Sequence, residues 1–143
     1  MSLTPKAKNR RRRILLVEDN DDSRNGLKRC LELSNYEVDA VADGASALAW
    51  LRLKEPPDFL LIDLQLPDID GVALAQQARL LAPQARLALI SGWVIDGHLE
   101  KLPEPSPVDW LFEKPINLHQ LLDTLSHADR EGPTTPSTPE VSS

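Results

Sequence analysis

The short apolar run Phe59–Ile62 constrains the fold of this 143-residue chain more than any other stretch. Four consecutive apolar residues fit a strand that is buried on both faces, and the run ends at the carboxylate of Asp63. Because the turn residues Pro67, Asp70 and Gly71 follow, the sequence predicts that Asp63 stands at the carboxyl end of a central strand. In open α/β sheets this edge is where ligands bind. An alternative is that Asp63 only caps the next helix.

Further strand and helix patterns alternate along the chain. Strands are predicted at 14–17, 36–41, 59–62, 87–90 and 110–112, and helices at 23–33, 45–53, 72–81 and after Asn117. The segment 36–41 alternates apolar and charged residues, which is typical of an edge strand. Prolines limit a fourth helix to about two turns within 96–102. The pattern predicts a doubly wound α/β fold: a five-stranded parallel sheet in the order 2-1-3-4-5, helices on both faces, and a short or distorted fourth helix.

Composition narrows the class of protein. Sixteen Lys and Arg against 22 Asp and Glu give a net charge of −6, which argues against direct nucleic-acid binding. The single cysteine, Cys30, excludes an internal disulfide and a Cys-based zinc site, and its place on a helical stripe predicts a small core residue. The sequence has no long apolar run for a membrane span and no apolar signal-peptide core, so the cytoplasm is the expected compartment.

One domain is expected from the chain length and the segment compositions. We expect a flexible basic segment at 1–12, a domain at 13–128 and a disordered tail rich in Pro, Thr and Ser at 129–143. The three histidines, His98, His119 and His127, have no ligand spacing and are expected in solvent.

Polar residues follow the strands at the edge where Asp63 is predicted. Glu18 and Asp19 follow the first strand, Ser91 the fourth and Lys114 the fifth. Three converging carboxylates repel one another, so they retain a proton or bind a cation, and oxygen ligands suit Mg²⁺ or Mn²⁺. A carboxylate in such a site can attack phosphorus, with Lys114 offsetting the phosphoryl charge and Ser91 donating a hydrogen bond. The alternatives are that the two acids cap a helix, that the serine is a turn residue and that the lysine is a surface residue.

Taken together, these residues make the chain resemble the receiver domain of two-component response regulators, the CheY-like family. The shared motifs, from about residue 13 to 127, are Glu18-Asp19, Asp63 with Leu66-Pro67 and Asp70-Gly71, Ser91-Gly92 and Lys114-Pro115. The resemblance implies a flavodoxin-like fold and a phosphorelay function. Asp63 is then the phosphoacceptor for a phosphohistidine on a sensor histidine kinase or phosphotransfer protein, and its phosphorylation switches the conformation.

The resemblance also implies roles for the other residues of the site. Glu18, Asp19, Asp63 and the main-chain carbonyl of Gln65 would bind Mg²⁺ (or Mn²⁺). Ser91 would be the hydroxyl switch and Lys114 the partner of the phosphoryl group, with Lys114–Pro115 in the cis form. Such a domain is not an enzyme beyond its own phosphorylation and dephosphorylation.

This chain departs from the family pattern at the switch. Leu111, three residues before the lysine, stands where the family usually has an aromatic residue, with Trp110 and Phe112 on either side. Gln65 and Trp93 occupy the positions that tune hydrolysis in the family, and neither is an acid. If Trp93 covers the site, the parent should lose its phosphoryl group more slowly than Trp93→Glu; alternatively, Trp93 packs against the short fourth helix.

Two other functions remain as alternatives. A pseudo-receiver would act as a phosphorylation-independent protein-binding module. A phosphatase of the haloacid dehalogenase type would need a second acid where Gln65 stands. A DNA-binding regulator would need an output domain, for which the stretch after residue 128 is too short. The cognate kinase, the pathway, the output partner, the oligomeric state (including a homodimer) and whether the chain is part of a larger regulator are not readable from the sequence.

Overall fold

A computed structural model describes residues 11–92 and 106–131, in which five parallel strands form one sheet. The strands are β1 Arg13–Val17, β2 Glu37–Val41, β3 Phe59–Asp63, β4 Arg86–Ser91 and β5 Trp110–Glu113. Their order, β2-β1-β3-β4-β5, is the order predicted from the sequence. The helices described are α1 Asp21–Leu33, α2 Gly44–Leu53, α3 Gly71–Leu81 and α4 Leu118–Glu131. The short helix predicted within 96–102, and Trp93, lie outside the described residues.

Burial along the strands follows their place in the sheet. Every residue of the central strand β3 is buried, because helices cover both faces of the sheet there. In β2 the buried Val38 lies between the exposed Glu37 and Asp39, as expected for an edge strand. The predicted doubly wound α/β fold is therefore confirmed.

Two apolar cores lie on opposite faces of the sheet. Side chains of β3 alternate between them, with Leu60 and Ile62 on one face and Leu61 on the other. The first core packs against α2 and α3, and the second packs against α1 and α4. Cys30 is only half-buried, so the prediction of a core position for it is wrong. In the part of the chain that the structure describes, no helix is both long and apolar enough to cross a membrane.

Helix starts depend on side-chain caps. Oδ1 of Asn20 accepts a hydrogen bond from the Ser23 main-chain N–H at 2.8 Å, so α1 begins two residues before the predicted Ser23. Oδ1 of Asn117 accepts from the Gln120 N–H at 3.0 Å, which confirms the predicted cap of α4. α1 and α4 therefore start just after the carboxyl ends of β1 and β5.

Candidate functional site

The strand register brings the carboxyl ends of the central strands together. Val17 of β1 is paired with Ile62 of β3, so Glu18 follows β1 at the level at which Asp63 ends β3. Among the described residues, one carboxylate oxygen from each of Glu18, Asp19 and Asp63 lies within 4.8 Å of the others. The structure therefore brings together the three acids that the sequence predicts at this edge.

Two of the three carboxylates are almost completely removed from water. Glu18 is 4% exposed and Asp63 is 3% exposed, whereas Asp19 is exposed. Burial raises the pKa of Glu18 above its ordinary value, and the negative charge of Asp63 adds to the rise. The main-chain N–H of Asn20 opposes it, since it donates to Oε2 of Glu18 at 3.1 Å. The cluster therefore carries negative charge at an energetic cost that a cation can offset.

Lys114 supplies one such cation from the chain itself. Its Nζ lies 2.9 Å from Oδ2 of Asp63 and 3.5 Å from Oε1 of Glu18. Burial by itself would lower the pKa of Lys114, but the hydrogen bond and charge of Asp63, with the charge of Glu18, outweigh burial and raise the pKa. Lys114 is therefore protonated at neutral pH, and because it pairs with two buried carboxylates it is more than the surface lysine of the alternative interpretation.

The main chain of β4 and β5 positions this lysine. The main-chain N–H of Lys114 donates to the carbonyl oxygen of Ser91 at 2.9 Å. Ser91 and Glu113 are the last residues paired between β4 and β5, so this bond fixes the residue that follows the pair. The Lys114–Pro115 peptide bond is cis, as the resemblance implied.

Ser91 is buried at the end of β4, whereas Leu111 is 41% exposed on β5. The switch roles of Ser91 and Leu111 and the tuning roles of Gln65 and Trp93 stay predictions.

A tight loop after β3 holds the second oxygen of Asp63. The Gln65 N–H donates to Oδ1 of Asp63 at 3.0 Å, and the Gly71 N–H donates to the Leu64 carbonyl at 2.9 Å. A Cβ on Gly71 would lie 2.7 Å from the Asp63 carbonyl oxygen and 2.6 Å from Leu64 Cα. Only glycine therefore fits without a shift of the loop, a requirement that sequence reasoning missed.

Neither helix-capping alternative holds for the acids. α3 begins at Gly71 with Asp70 at its N-cap, well beyond Asp63. The side chain that caps α1 belongs to Asn20 and not to Glu18 or Asp19. The three carboxylates are therefore available for a different role.

Arg24 contacts the acidic loop and was not identified from the sequence. Its Nη1 donates to the main-chain carbonyls of Glu18 at 3.0 Å and Asp19 at 3.3 Å. Its Nη2 donates to Oδ1 of Asp21 at 2.5 Å. An arginine one turn into the helix that follows an acidic loop is the only sequence signal for these contacts.

The carboxylate set fits a divalent cation. Mg²⁺ prefers oxygen ligands and is commonly bound by one or two carboxylates together with waters and phosphate oxygens. Buried Glu18 and Asp63 supply oxygens that are already desolvated, and the exposed Asp19 leaves one side of the cluster open to solvent. The donor set and its spacing therefore suit Mg²⁺ or Mn²⁺.

A groove of about 590 Å³ opens beside the site, between α1 and the segment after β5. Gly26, Leu27 and Cys30 of α1 line one side of this groove. Pro115 and Ile116 line the other side, and Lys114 lies on its wall. The groove therefore presents a mostly apolar surface next to Glu18 and Lys114.

Comparison with known proteins gives consistent matches over this region. The profile of the Response regulator receiver domain matches residues 14–126. The response regulator receiver protein CpdR of Brucella abortus is 33% identical over 114 residues, which cover 80% of this chain and 93% of that protein. The sensor kinase CckA of the same species is 33% identical over 113 residues, which cover 78% of this chain and 12% of the kinase. A solved CheY-like response regulator receiver domain from Methylobacillus flagellatus has a TM-score of 0.71 at 29% identity, covering 82% of this chain and 98% of that one.

Proposed function

The chain belongs to the response regulator receiver domain family, and we propose that Asp63 is the residue on which it accepts a phosphoryl group. The observation that carries this assignment is the position of Asp63. Its buried carboxylate lies 2.9 Å from the Lys114 ammonium and within 4.8 Å of the carboxylates of Glu18 and Asp19. Phosphoryl transfer depends on such positioning and on positive charge near the phosphoryl oxygens.

The donor is a phosphohistidine on a sensor histidine kinase or phosphotransfer protein. A carboxylate oxygen of Asp63 attacks the phosphorus atom, the phosphorus–nitrogen bond breaks, and its electron pair returns to the imidazole nitrogen. The product is a mixed anhydride of the Asp63 carboxylate and phosphate. The Lys114 ammonium, already beside Asp63, offsets charge on the transferred phosphoryl oxygens.

Mg²⁺ (or Mn²⁺) is the cofactor that suits the acid cluster. Glu18, Asp19 and Asp63 would hold it, together with the main-chain carbonyl of Gln65. The bound metal supplies positive charge that offsets the charge of the phosphoryl oxygens.

Ser91 and Leu111 form the proposed switch region. The Ser91 hydroxyl donates to a phosphoryl oxygen only after transfer, so it stabilises the phosphorylated conformation selectively. Leu111 is partly exposed on β5 and has no aromatic ring, so the family's coupling of a hydroxyl to an aromatic residue is not available at this position.

We place the domain in the cytoplasm, where kinases that use ATP phosphorylate their partners. The groove beside the site, lined by Glu18 and Lys114 among others, is where we expect part of a phosphodonor protein to dock. The domain catalyses only its own phosphorylation and dephosphorylation. A pseudo-receiver that binds partners without phosphorylation is the rival function.

Mass spectrometry after treatment with acetyl phosphate and Mg²⁺ tests the assignment. We expect the parent to gain one phosphoryl group, Asp63→Asn to gain none, and Asp123→Asn, an exposed acid on α4, to behave like the parent. Lys114→Ala should bind Mg²⁺ but fail to pass phosphorylation on to a conformational readout. An unmodified parent would favour the pseudo-receiver, and equal modification of Asp63→Asn would refute Asp63 as the acceptor.

A further inference from the structure

Arg24 of α1 holds the loop that carries two of the three acids. Its guanidinium donates to the carbonyl oxygens of Glu18 and Asp19 and to Oδ1 of Asp21. The side chain of Arg24 is only 18% exposed, although Asp21 is 80% exposed. The planar guanidinium has several N–H groups in a fixed geometry, so one side chain can hold three acceptors at once.

Two of the three contacts are to the main chain, and these two determine what Arg24 can do. The carbonyls of Glu18 and Asp19 belong to the peptide planes that follow these residues. Fixing the planes restricts the directions in which both carboxylates leave the backbone. We infer that Arg24 is a positioning residue that prearranges Glu18 and Asp19 for a divalent cation without touching the cation itself. This role rests on the proposed metal site.

Asp19 depends most on this arrangement. Glu18 is buried and its carboxylate also accepts the Asn20 N–H, so packing and a second hydrogen bond restrain it. Asp19 is exposed, and the Arg24 contact to its carbonyl restrains the backbone from which its carboxylate extends. Residues that hold metal ligands in place change metal affinity by about 10- to 100-fold when they are substituted.

Charge and positioning predict opposite results for the loss of Arg24. The guanidinium is positive, so by charge alone its removal would strengthen cation binding. By positioning, its removal frees the loop and weakens cation binding. Arg24→Lys separates the two effects, because it keeps the charge but lacks the planar fork that reaches both carbonyls.

Isothermal titration of Mg²⁺ into the full chain is the direct test. We expect Arg24→Met and Arg24→Lys both to raise the Kd for Mg²⁺, by about 10-fold or more. Arg29→Met and Arg29→Lys are matched controls, since Arg29 is exposed on the same helix and the charge changes are identical. Both controls should bind like the parent. Circular dichroism without Mg²⁺ checks that each variant is folded, and Arg24→Lys, which keeps the charge and a long stem, carries the test if Arg24→Met is unfolded.

A second readout separates positioning from a general loss of function. Phosphorylation by acetyl phosphate should need more Mg²⁺ for half-maximal rate in the Arg24 variants, with a rate at saturating Mg²⁺ close to that of the parent. If both Arg24 variants bind Mg²⁺ at least as tightly as the parent, the positioning role is overturned and the metal site is left intact. A parent that binds no Mg²⁺ would refute the metal site and the role of Arg24 with it.

Discussion

The ammonium group of Lys114 lies 2.9 Å from Oδ2 of Asp63, although 51 positions separate the two residues along the chain. The same ammonium lies 3.5 Å from Oε1 of Glu18, so one positive charge serves two buried carboxylates. The same two residues belong to the acid cluster that could hold a divalent cation. We therefore expect stability and cation binding to be coupled through this cluster.

Removing the ammonium group should destabilise the domain when no divalent cation is present. In Lys114→Met we expect the free energy of unfolding to fall by about 1–2 kcal/mol, because Asp63 and Glu18 lose a charged hydrogen-bond partner while water screens part of the loss. Urea denaturation measures the change. Lys28→Met is the control. The side chains of Lys28 and Lys114 are equally exposed, at 37% and 36%, but Glu32, the partner of Lys28, is 44% exposed, whereas the partners of Lys114 are buried. That variant should lose about 0.5 kcal/mol or less, and an equal loss in both would contradict the pairing.

Glu18→Gln should stabilise the cation-free domain at neutral pH. Burial, with the charge of Asp63, raises the pKa of Glu18, so the folded state holds this proton more tightly than the unfolded chain does. Stability therefore falls as pH rises through the interval between the unfolded and folded pKa values. The variant avoids this loss, so its advantage should shrink as the pH is lowered through that interval and be gone below the ordinary pKa of glutamate. Urea denaturation across this pH range measures it.

Mg²⁺ should reverse the order of stability, so that the parent becomes more stable than Glu18→Gln. The cation binds the folded parent and stabilises it by mass action, whereas Glu18→Gln lacks one of the charged ligands. Glu32→Gln, at an exposed position of α1, is the control and should show neither effect. A cation-free Glu18→Gln protein less stable than the parent at neutral pH would count against the buried-charge explanation.

Asp68 should make the stability of the domain depend on pH in the acid range. Its two carboxylate oxygens accept the main-chain N–H groups of Gly44 at 2.8 Å and Ala45 at 2.9 Å, at the start of α2. These hydrogen bonds lower the pKa of Asp68. The carboxylate therefore contributes stability above the unfolded pKa, and that stability is lost as the pH falls through the lower folded pKa. We expect Asp68→Asn to be less stable than the parent at neutral pH and equal to it once the parent is protonated.

Asp70→Asn is the matched control for the Asp68 variant. Asp70 is also exposed and occupies the N-cap of α3, but its side chain makes no capping hydrogen bond. Thermal denaturation at neutral pH and at about pH 2–3, below the ordinary aspartate pKa, compares the two variants. A destabilisation by Asp68→Asn that persists unchanged at the acid end would exclude the charge as its source.

Gly71→Ala and Gly26→Ala should have opposite effects on stability. A Cβ added at residue 71 would press on the main chain of Asp63 and Leu64, whereas no atom of the described residues lies within 4 Å of a Cβ added at residue 26. We expect Gly71→Ala to lose about 1–3 kcal/mol through forced backbone shifts. Gly26→Ala lies inside α1 and should gain about 0.5–1 kcal/mol from helix propensity. Urea denaturation measures both, and a stable Gly71→Ala protein with unchanged phosphorylation would show that the loop has room.

Local patterns in the sequence determined the layout of the domain. The unbroken apolar run of β3 predicted burial on both faces, and the alternation in β2 predicted an edge strand, because side-chain burial repeats with the geometry of each element. Asn117 predicted the start of α4, since a cap bonds to an N–H only three residues away. The strand order then followed, and with it the edge where Glu18, Asp63 and Lys114 lie.

Only the tertiary structure decided how these residues meet. Pairing of Lys114 with Asp63 depends on the register of three neighbouring strands, which no local pattern encodes. Two of the Arg24 contacts end on main-chain carbonyls, and every residue has a carbonyl, so side-chain identity could not identify these two acceptors. Gly71 is required by the close approach of a distant backbone segment, and Cys30 is half-buried because a groove opens between α1 and the segment after β5. Long-range packing sets such distances, and it becomes defined only when the whole sheet has formed.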